Sequence, residues 1–254
     1  MGIPRRTRGR AWLGLGLGLA AGSAALACNH TAAPDVEDPF IVPPPTMRTE
    51  PFAAPRDAGG TCSPGDVSAF HFTWKPPQPL YQGVCTPAQA ALLAGCIANG
   101  ATSTCNTFIA DATNRPCITC AYGETTGPKL PAVVDYRDWL VEVNYADCFA
   151  NADGDLTADG CGAQIQARRA CTVAACAGCS TKNQGDVPAE EACALQAEDT
   201  VCKEYTDRSV CEYDLINGPG KICRIPAGGA LESAANKYIL LFCGANPLKD
   251  AGPG

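Results

Sequence analysis

The segment from Cys85 to Cys120, CTPAQAALLAGCIANGATSTCNTFIADATNRPCITC, predicts a helical hairpin. Thr86 can cap the first helix, Pro87 suits its first position, and Gln89 stands where a capping box needs a glutamine or glutamate. The helix should continue through the apolar residues that follow and end at Asn99-Gly100, because glycine commonly terminates helices.

A second helix is expected to begin at Thr102 or Ser103 and to run to about Ala112. Asn114-Arg115-Pro116 should end it, because a residue that precedes proline disfavours the helical conformation. The two helices are then joined by a short turn, so that they should lie antiparallel.

This hairpin brings particular cysteines together. Cys96 ends the first helix and Cys105 begins the second, so we predict a Cys96–Cys105 bond. The far ends of the hairpin also meet, which pairs Cys85 with Cys117 or Cys120, and Cys117 is the preferred partner.

The middle of the chain predicts a small β-hairpin. Residues 132–134 and 139–143 are rich in valine and flank a short polar turn, and the second run alternates apolar and polar side chains. A helix from Asp135 to Val143 is the competing interpretation, because the same apolar residues also fit a helical face. Asn144 should then begin a short helix that contains Cys148.

The second half reads as further helices, so the predicted fold is mainly α and disulfide-rich, made of short helices and helical hairpins stapled by cystines. Three helices are expected there: Gln164 to Ala177, one that starts at Pro188, and an amphipathic one from about Leu231 to Gly244.

One cysteine pattern recurs along the chain. Cys202, Cys211 and Cys223 repeat the spacings of Cys96, Cys105 and Cys117. A duplicated helical module would explain the echo, but the residues between these cysteines barely match, so coincidence is the alternative.

The N-terminus reads as an export signal followed by a lipid anchor. Residues 1–27 contain four arginines, then an apolar run that ends in small residues, which is typical of a signal peptide. Ala25-Leu26-Ala27-Cys28 resembles the bacterial lipobox, with Ala25 where leucine is usual. Setting Cys28 aside for lipidation leaves an even number of the 17 cysteines for disulfides, whereas ordinary cleavage after Ala27 would release a soluble protein.

The domain boundaries follow from composition. Residues 28–60 are proline-rich and lack hydrophobic periodicity, which predicts a lipid anchor and an extended tether. Residues 61–254 form the disulfide-rich helical region, with candidate halves 61–127 and 145–254.

Charge and cysteine content restrict the partners. Without residues 1–27 the chain has 15 basic and 26 acidic residues, a formal charge of −11, so nucleic acid and anionic lipid surfaces are not expected partners. The expected contacts are with the membrane through the anchor and with a protein or envelope ligand that the sequence does not name.

Two CxxC motifs invite a redox or metal interpretation. The motifs are Cys117 to Cys120 and Cys176 to Cys179. Neither is followed by the histidine that covalent haem attachment requires, and neither is preceded by the strand of a thioredoxin site. Four cysteines could bind zinc, but in an exported chain of this cysteine density structural cystines are expected instead. No metal and no cofactor is predicted.

A second motif resembles a calcium-binding loop. Oxygen-bearing side chains alternate from Asn151 to Asp159, as hard cations require. Leu156 and Gly162 stand where an EF-hand has glycine and glutamate, so an acidic turn closed by its own side chains is the preferred interpretation.

No catalytic constellation is evident. His71 is the sole histidine between residues 61 and 254, and its aromatic neighbours predict a packed strand residue rather than a base. The chain has no nucleophile-elbow motif and no phosphate-binding glycine loop. The sequence therefore favours a non-enzymatic binding module, with a carboxylate-based envelope hydrolase or a CxxC redox protein as alternatives.

Several features of the chain together resemble the cysteine-rich predicted lipoproteins of myxobacteria. They are the lipobox, the proline-rich tether, Cys85-Thr-Pro-Ala-Gln, the recurrent cysteine spacings and the closing Leu-Phe-Cys243. The resemblance spans most of the chain after the signal peptide. It implies export to the cell envelope and anchoring at the outer membrane, and it implies no activity.

Overall fold

The structure is a computed structural model that describes residues 62–182, 184–225 and 230–246. The predicted signal peptide, the lipidation site Cys28 and the proline-rich tether lie outside the described residues. Among the residues that are described, no helix combines the length and apolarity needed to cross a membrane.

The described chain is mainly helical with one small sheet, as the sequence predicts. The α-helices are α1 (Pro87–Asn99), α2 (Ser103–Ala110), α3 (Arg115–Ala121), α4 (Tyr145–Asp153), α5 (Cys161–Ala175), α6 (Val187–Asp199), α7 (Lys203–Arg208), α8 (Glu212–Asn217) and α9 (Leu231–Cys243). The strands are β1 (Tyr122–Glu124), β2 (Val133–Arg137) and β3 (Leu140–Val143). Short 3-10 turns cover Ala112–Asn114, Gln184–Asp186, Ser209–Cys211 and Pro219–Cys223.

The start and end of α1 follow the sequence signals. The Thr86 hydroxyl accepts from the Gln89 amide at 3.2 Å, and the Gln89 side chain accepts from the Thr86 amide at 2.8 Å. Gly100 ends the helix with a φ of 79°, a conformation that glycine adopts without strain.

Helix α2 has close to the predicted extent, with Thr102 as its N-cap, but the signal that ends it is not the predicted one. Helix α2 stops at Ala110, and the Asp111 carboxylate accepts from the Thr113 amide at 2.9 Å to begin a 3-10 turn. Pro116 then lies in the first turn of α3, where its missing amide hydrogen costs nothing. Pro116 is thus part of the start of α3 rather than the stop of α2.

The predicted β-hairpin is present, and the competing helix is not. Strands β2 and β3 pair antiparallel, with Val133 opposite Val143, and Asp138 takes a positive φ of 44° in the turn. Strand β1 adds to the other side of β2 in parallel. The sequence did not predict this strand, since three residues are too few to show alternation.

One core unites both candidate halves of the folded region. Helix α9 packs on α1, and α4 packs on α5. The largest fully buried side chains of this core include Phe149, Tyr238 and Phe242. The described residues of the two candidate halves, 61–127 and 145–254, therefore share this core.

Eight disulfides use all sixteen cysteines between Cys62 and Cys243. Two of them are the pairs that the helical hairpin predicts, Cys96–Cys105 and Cys85–Cys117. The others are Cys62–Cys179, Cys120–Cys243, Cys148–Cys223, Cys161–Cys211, Cys171–Cys202 and Cys176–Cys193.

The cysteine echo does not reflect a repeated connectivity. Cys202 and Cys211 bond to Cys171 and Cys161 rather than to each other. The bonding pattern therefore supports the interpretation that the repeated cysteine spacings are a coincidence and not the mark of a duplicated module.

A segment without helix or strand, residues 62–84, runs across the fold; we call it the strap. Near its start the Gly65 amide donates to the Ala175 carbonyl at 2.7 Å. Near its end the Tyr81 and Gln82 amides donate to carbonyls of α9, each at 2.9 Å. The strap therefore ties the end of α5 to the end of α9.

Candidate functional site

The strap is fastened in its middle by a buried polar network around Asp147. Gln166 of α5 forms two hydrogen bonds with the backbone of Lys75, at 3.0 and 3.2 Å, and also donates to Asp147 Oδ1 at 3.2 Å. Asn144, the N-cap of α4, donates to Asp147 Oδ2 at 2.8 Å. Burial is the main influence on this carboxyl and raises the pKa of Asp147 to about 7, although its hydrogen bonds oppose the shift.

A second buried cluster surrounds Arg169 of α5. Its guanidinium forms a bidentate ion pair with Glu142 of β3 and lies over the Tyr136 ring, 5.3 Å from the centroid. On its other side Nη1 is 3.8 Å from Glu190 Oε1, too far for a hydrogen bond. Glu190 is fully buried, and within the described residues neither of its carboxylate oxygens accepts a hydrogen bond, so burial raises its pKa.

These clusters hold the fold together rather than face a substrate. Asp147 and Glu190 are both fully buried, and Glu142 is engaged by Arg169 through both of its oxygens. A carboxylate pair that works as acid and base must reach a substrate; Asp147 and Glu190 are enclosed, and the partly exposed Glu142 is occupied by Arg169. The arrangement gives the hydrolase interpretation no support.

Within the described residues, the carboxylates of the calcium-like loop do not form a group close enough together to hold a metal ion. Helix α4 continues to Asp153 and ends at Gly154, which has a φ of 79°. Asp155 instead accepts from the Thr157 amide and hydroxyl, at 3.0 and 2.6 Å, and these bonds lower its pKa. This is the side-chain-closed turn that the sequence favours.

The other sequence candidates are also placed. His71 is exposed on the strap and not in a strand, so the prediction from its aromatic neighbours is wrong.

A shallow surface depression lies beside α2, and its lining contains a single carboxylate, that of Asp111.

Each cysteine of the two CxxC motifs bonds outside its own motif. Cys117 and Cys120 bond to Cys85 and Cys243. Cys176 and Cys179 bond to Cys193 and Cys62. The thiolates that a zinc site or a CxxC redox site would require are therefore all consumed in cystines.

The most distinctive surface feature is a concentration of exposed apolar side chains that sequence reasoning missed. Among the described residues, eight large hydrophobic side chains are exposed, and six of them fall between residues 195 and 225. They are Leu195, Val201, Val210, Tyr213, Ile222 and Ile225. Exposed apolar side chains mark interaction sites in soluble proteins where they form one contiguous patch.

Four of these side chains belong to segments that pack together around α8. We call these four side chains the α8 surface; they are Val210, Tyr213, Ile222 and Ile225. Val210 and Tyr213 are one helical turn apart, and they are 72% and 75% exposed. Arg224 donates to the Ile216 carbonyl at 2.7 Å and thereby ties the segment that carries Ile222 and Ile225 to α8.

Cystines hold the α8 surface in place. Val210 adjoins Cys211, which is bonded to Cys161 of α5, and Ile222 adjoins Cys223, which is bonded to the fully buried Cys148 of α4. Each cystine fixes the backbone while the neighbouring side chain remains exposed. A signal was present in the sequence, since an apolar residue directly precedes three cysteines in succession, at Val201, Val210 and Ile222.

Comparison with known proteins adds no relative: no protein-family model, no curated protein and no solved structure matches the chain.

Proposed function

We propose that the chain is an exported, lipid-anchored protein of the cell envelope that binds another envelope protein through the α8 surface, without catalysis. The observation that carries the proposal is the set of exposed apolar side chains fixed next to cystines. Because the backbone is already held in place, little conformational entropy is lost when a partner binds.

The cysteine content supports the export part of the proposal. A chain with eight disulfides needs an oxidising compartment to form them. All sixteen cysteines after Cys28 are consumed, which leaves Cys28 to carry lipid, as in the group of lipoproteins that the sequence resembles. The N-terminal mass tests this part: an acylated Cys28 is expected, and a mature chain without acyl groups would refute the anchor but not the binding.

Site-specific photo-crosslinking in intact cells tests the binding. A photoreactive phenylalanine analogue replaces Tyr213 in the full-length chain, and the matched control replaces Leu156, which is 49% exposed and belongs to none of the segments that form the α8 surface. A protein adduct of discrete mass is expected at position 213 and not at position 156. Equal, diffuse adducts at both positions would refute a specific surface.

A competition experiment identifies the residues responsible. With the photoreactive group at position 222, the double change Val210→Ser and Tyr213→Ser should lower the adduct yield about tenfold or more, because central apolar contacts dominate interface energies. The control change is Leu156→Ser, which should leave the yield unchanged. An unaltered yield in the double variant would remove the α8 surface from the proposal.

A further inference from the structure

Two cystines lie side by side where the strap meets α5 and α6. They are Cys62–Cys179 and Cys176–Cys193, and the Sγ atoms of Cys62, Cys179 and Cys193 all lie within 4.8 Å of one another. Three sulfurs from two different disulfides at this separation place a potential thiolate beside a bond that it could attack.

The four cysteines differ in exposure. Cys62 is half-buried at the edge of the cluster, whereas Cys179 is 7% exposed. Cys176 and Cys193 are fully buried. Cys62 is therefore the cysteine of this cluster that a thiol from solution reaches most readily.

Contacts other than the outer bond also hold the strap at this site. The Gly65 amide donates to the Ala175 carbonyl, and Val67 and Phe70 pack against the cluster. Phe70 also meets the Tyr205 ring edge to face, with centroids 5.6 Å apart. None of these contacts is made by Cys62 or Cys179 themselves.

We propose that this pair of cystines is a thiol–disulfide exchange site that captures a small external thiol at Cys62 and moves the internal disulfide inward. In the first step the external thiolate attacks Cys62 Sγ, a mixed disulfide forms there, and Cys179 leaves as a thiolate. In the second step the Cys179 thiolate attacks Cys193 Sγ, the Cys179–Cys193 bond forms, and Cys176 leaves as a thiolate that takes a proton from water. Two disulfides remain, one internal and one mixed, so no oxidant is needed.

The sulfur released in the second step lies in the interior. Cys176 is the C-cap of α5 and is fully buried. A second external thiol therefore has less access to Cys176 than to Cys62.

Peptide mapping of the intact, oxidised full-length protein tests the exchange. The protein is incubated with reduced glutathione at mildly alkaline pH, quenched with acid, unfolded and alkylated. The expected products are glutathione on Cys62, an alkyl group on Cys176 in the same proportion, and a new Cys179–Cys193 bond. Glutathione on Cys62 together with an alkylated Cys179 and an intact Cys176–Cys193 bond would overturn the proposal.

The Cys161–Cys211 bond is the internal control. Both of its cysteines are half-buried, and neither belongs to the three-sulfur cluster. Its opening should give glutathione and the alkyl group on those same two cysteines. If this bond opens under conditions that leave Cys62 unmodified, the proposed reactivity of Cys62 is refuted.

A double variant separates the two steps. In Cys176→Ala with Cys193→Ala the inner disulfide is absent, so the alkyl group should appear on Cys179 while Cys62 still carries glutathione. If the alkyl group in the unaltered protein is also on Cys179, the second step does not occur.

Discussion

Replacing Asp147 with asparagine should change how stability depends on pH. Asp147 is fully buried, and its pKa of about 7 stands about three units above the ordinary aspartate value of 3.8. Because the folded state holds this proton more tightly than the unfolded state, the free energy of unfolding should fall as pH rises from about 4 to about 7. At about 1.4 kcal/mol per unit, the whole change is about 4 kcal/mol.

Asparagine does not titrate, so the variant should lack this slope. Its amide will also meet the donors of Asn144 and Gln166, which adds a cost that is the same at every pH. The free energy of unfolding is therefore compared between the two proteins at each pH. The informative quantity is how much that difference changes between pH 4 and pH 8.

Guanidinium unfolding with the disulfides intact measures this difference. The variant should gain up to about 4 kcal/mol relative to the unaltered protein as pH rises across that range. The control is Asp155→Asn: the Asp155 pKa is lowered, so the stability it contributes is lost only as pH falls below about 4. A difference for Asp147→Asn that stays constant from pH 4 to pH 8 would refute the reasoning.

Two further changes should alter stability in ways that the structure specifies. Tyr238→Phe removes the hydroxyl that donates to the buried Cys223 carbonyl at 2.6 Å, and it should lower the free energy of unfolding in denaturant by about 1–3 kcal/mol. The control is Tyr213→Phe at a 75% exposed position, which should leave this free energy unchanged. Removing the Cys120–Cys243 bond should destabilise by about 1.5 kcal/mol more than removing Cys96–Cys105, which spans nine residues, when each pair is changed to alanine, because with Cys148–Cys223 still closed the longer bond closes a loop of about 50 residues. Equal losses for the two cystine pairs would contradict the loop-length argument.

The sequence predicts local structure well where the signals are local. The capping box at Thr86 and Gln89 and the glycine at position 100 mark both ends of α1, and the nine-residue separation of Cys96 and Cys105 leaves little choice of partner. These are contacts between residues close in the chain, whose geometry follows from one turn and two helices.

Contacts over long separations could not be read in this way. Cys120 bonds to Cys243 because α9 packs on α1 and α3, which no spacing in the sequence records. The same holds for Asp147, whose partner Gln166 lies on another helix and links it to the strap. The α8 surface was missed because exposure is decided by which apolar residues the core leaves out.

The disulfide map also determines what a protease can do to this protein. Cys62–Cys179 spans every peptide bond from residue 62 to 179, and Cys120–Cys243 spans every one from 120 to 243. A single cut anywhere between Cys62 and Cys243 therefore leaves one covalent molecule, and separate fragments appear only after reduction. Cleavage in the sequence before Cys62 would instead separate the preceding residues and leave the cross-linked region from Cys62 to Cys243 in one piece.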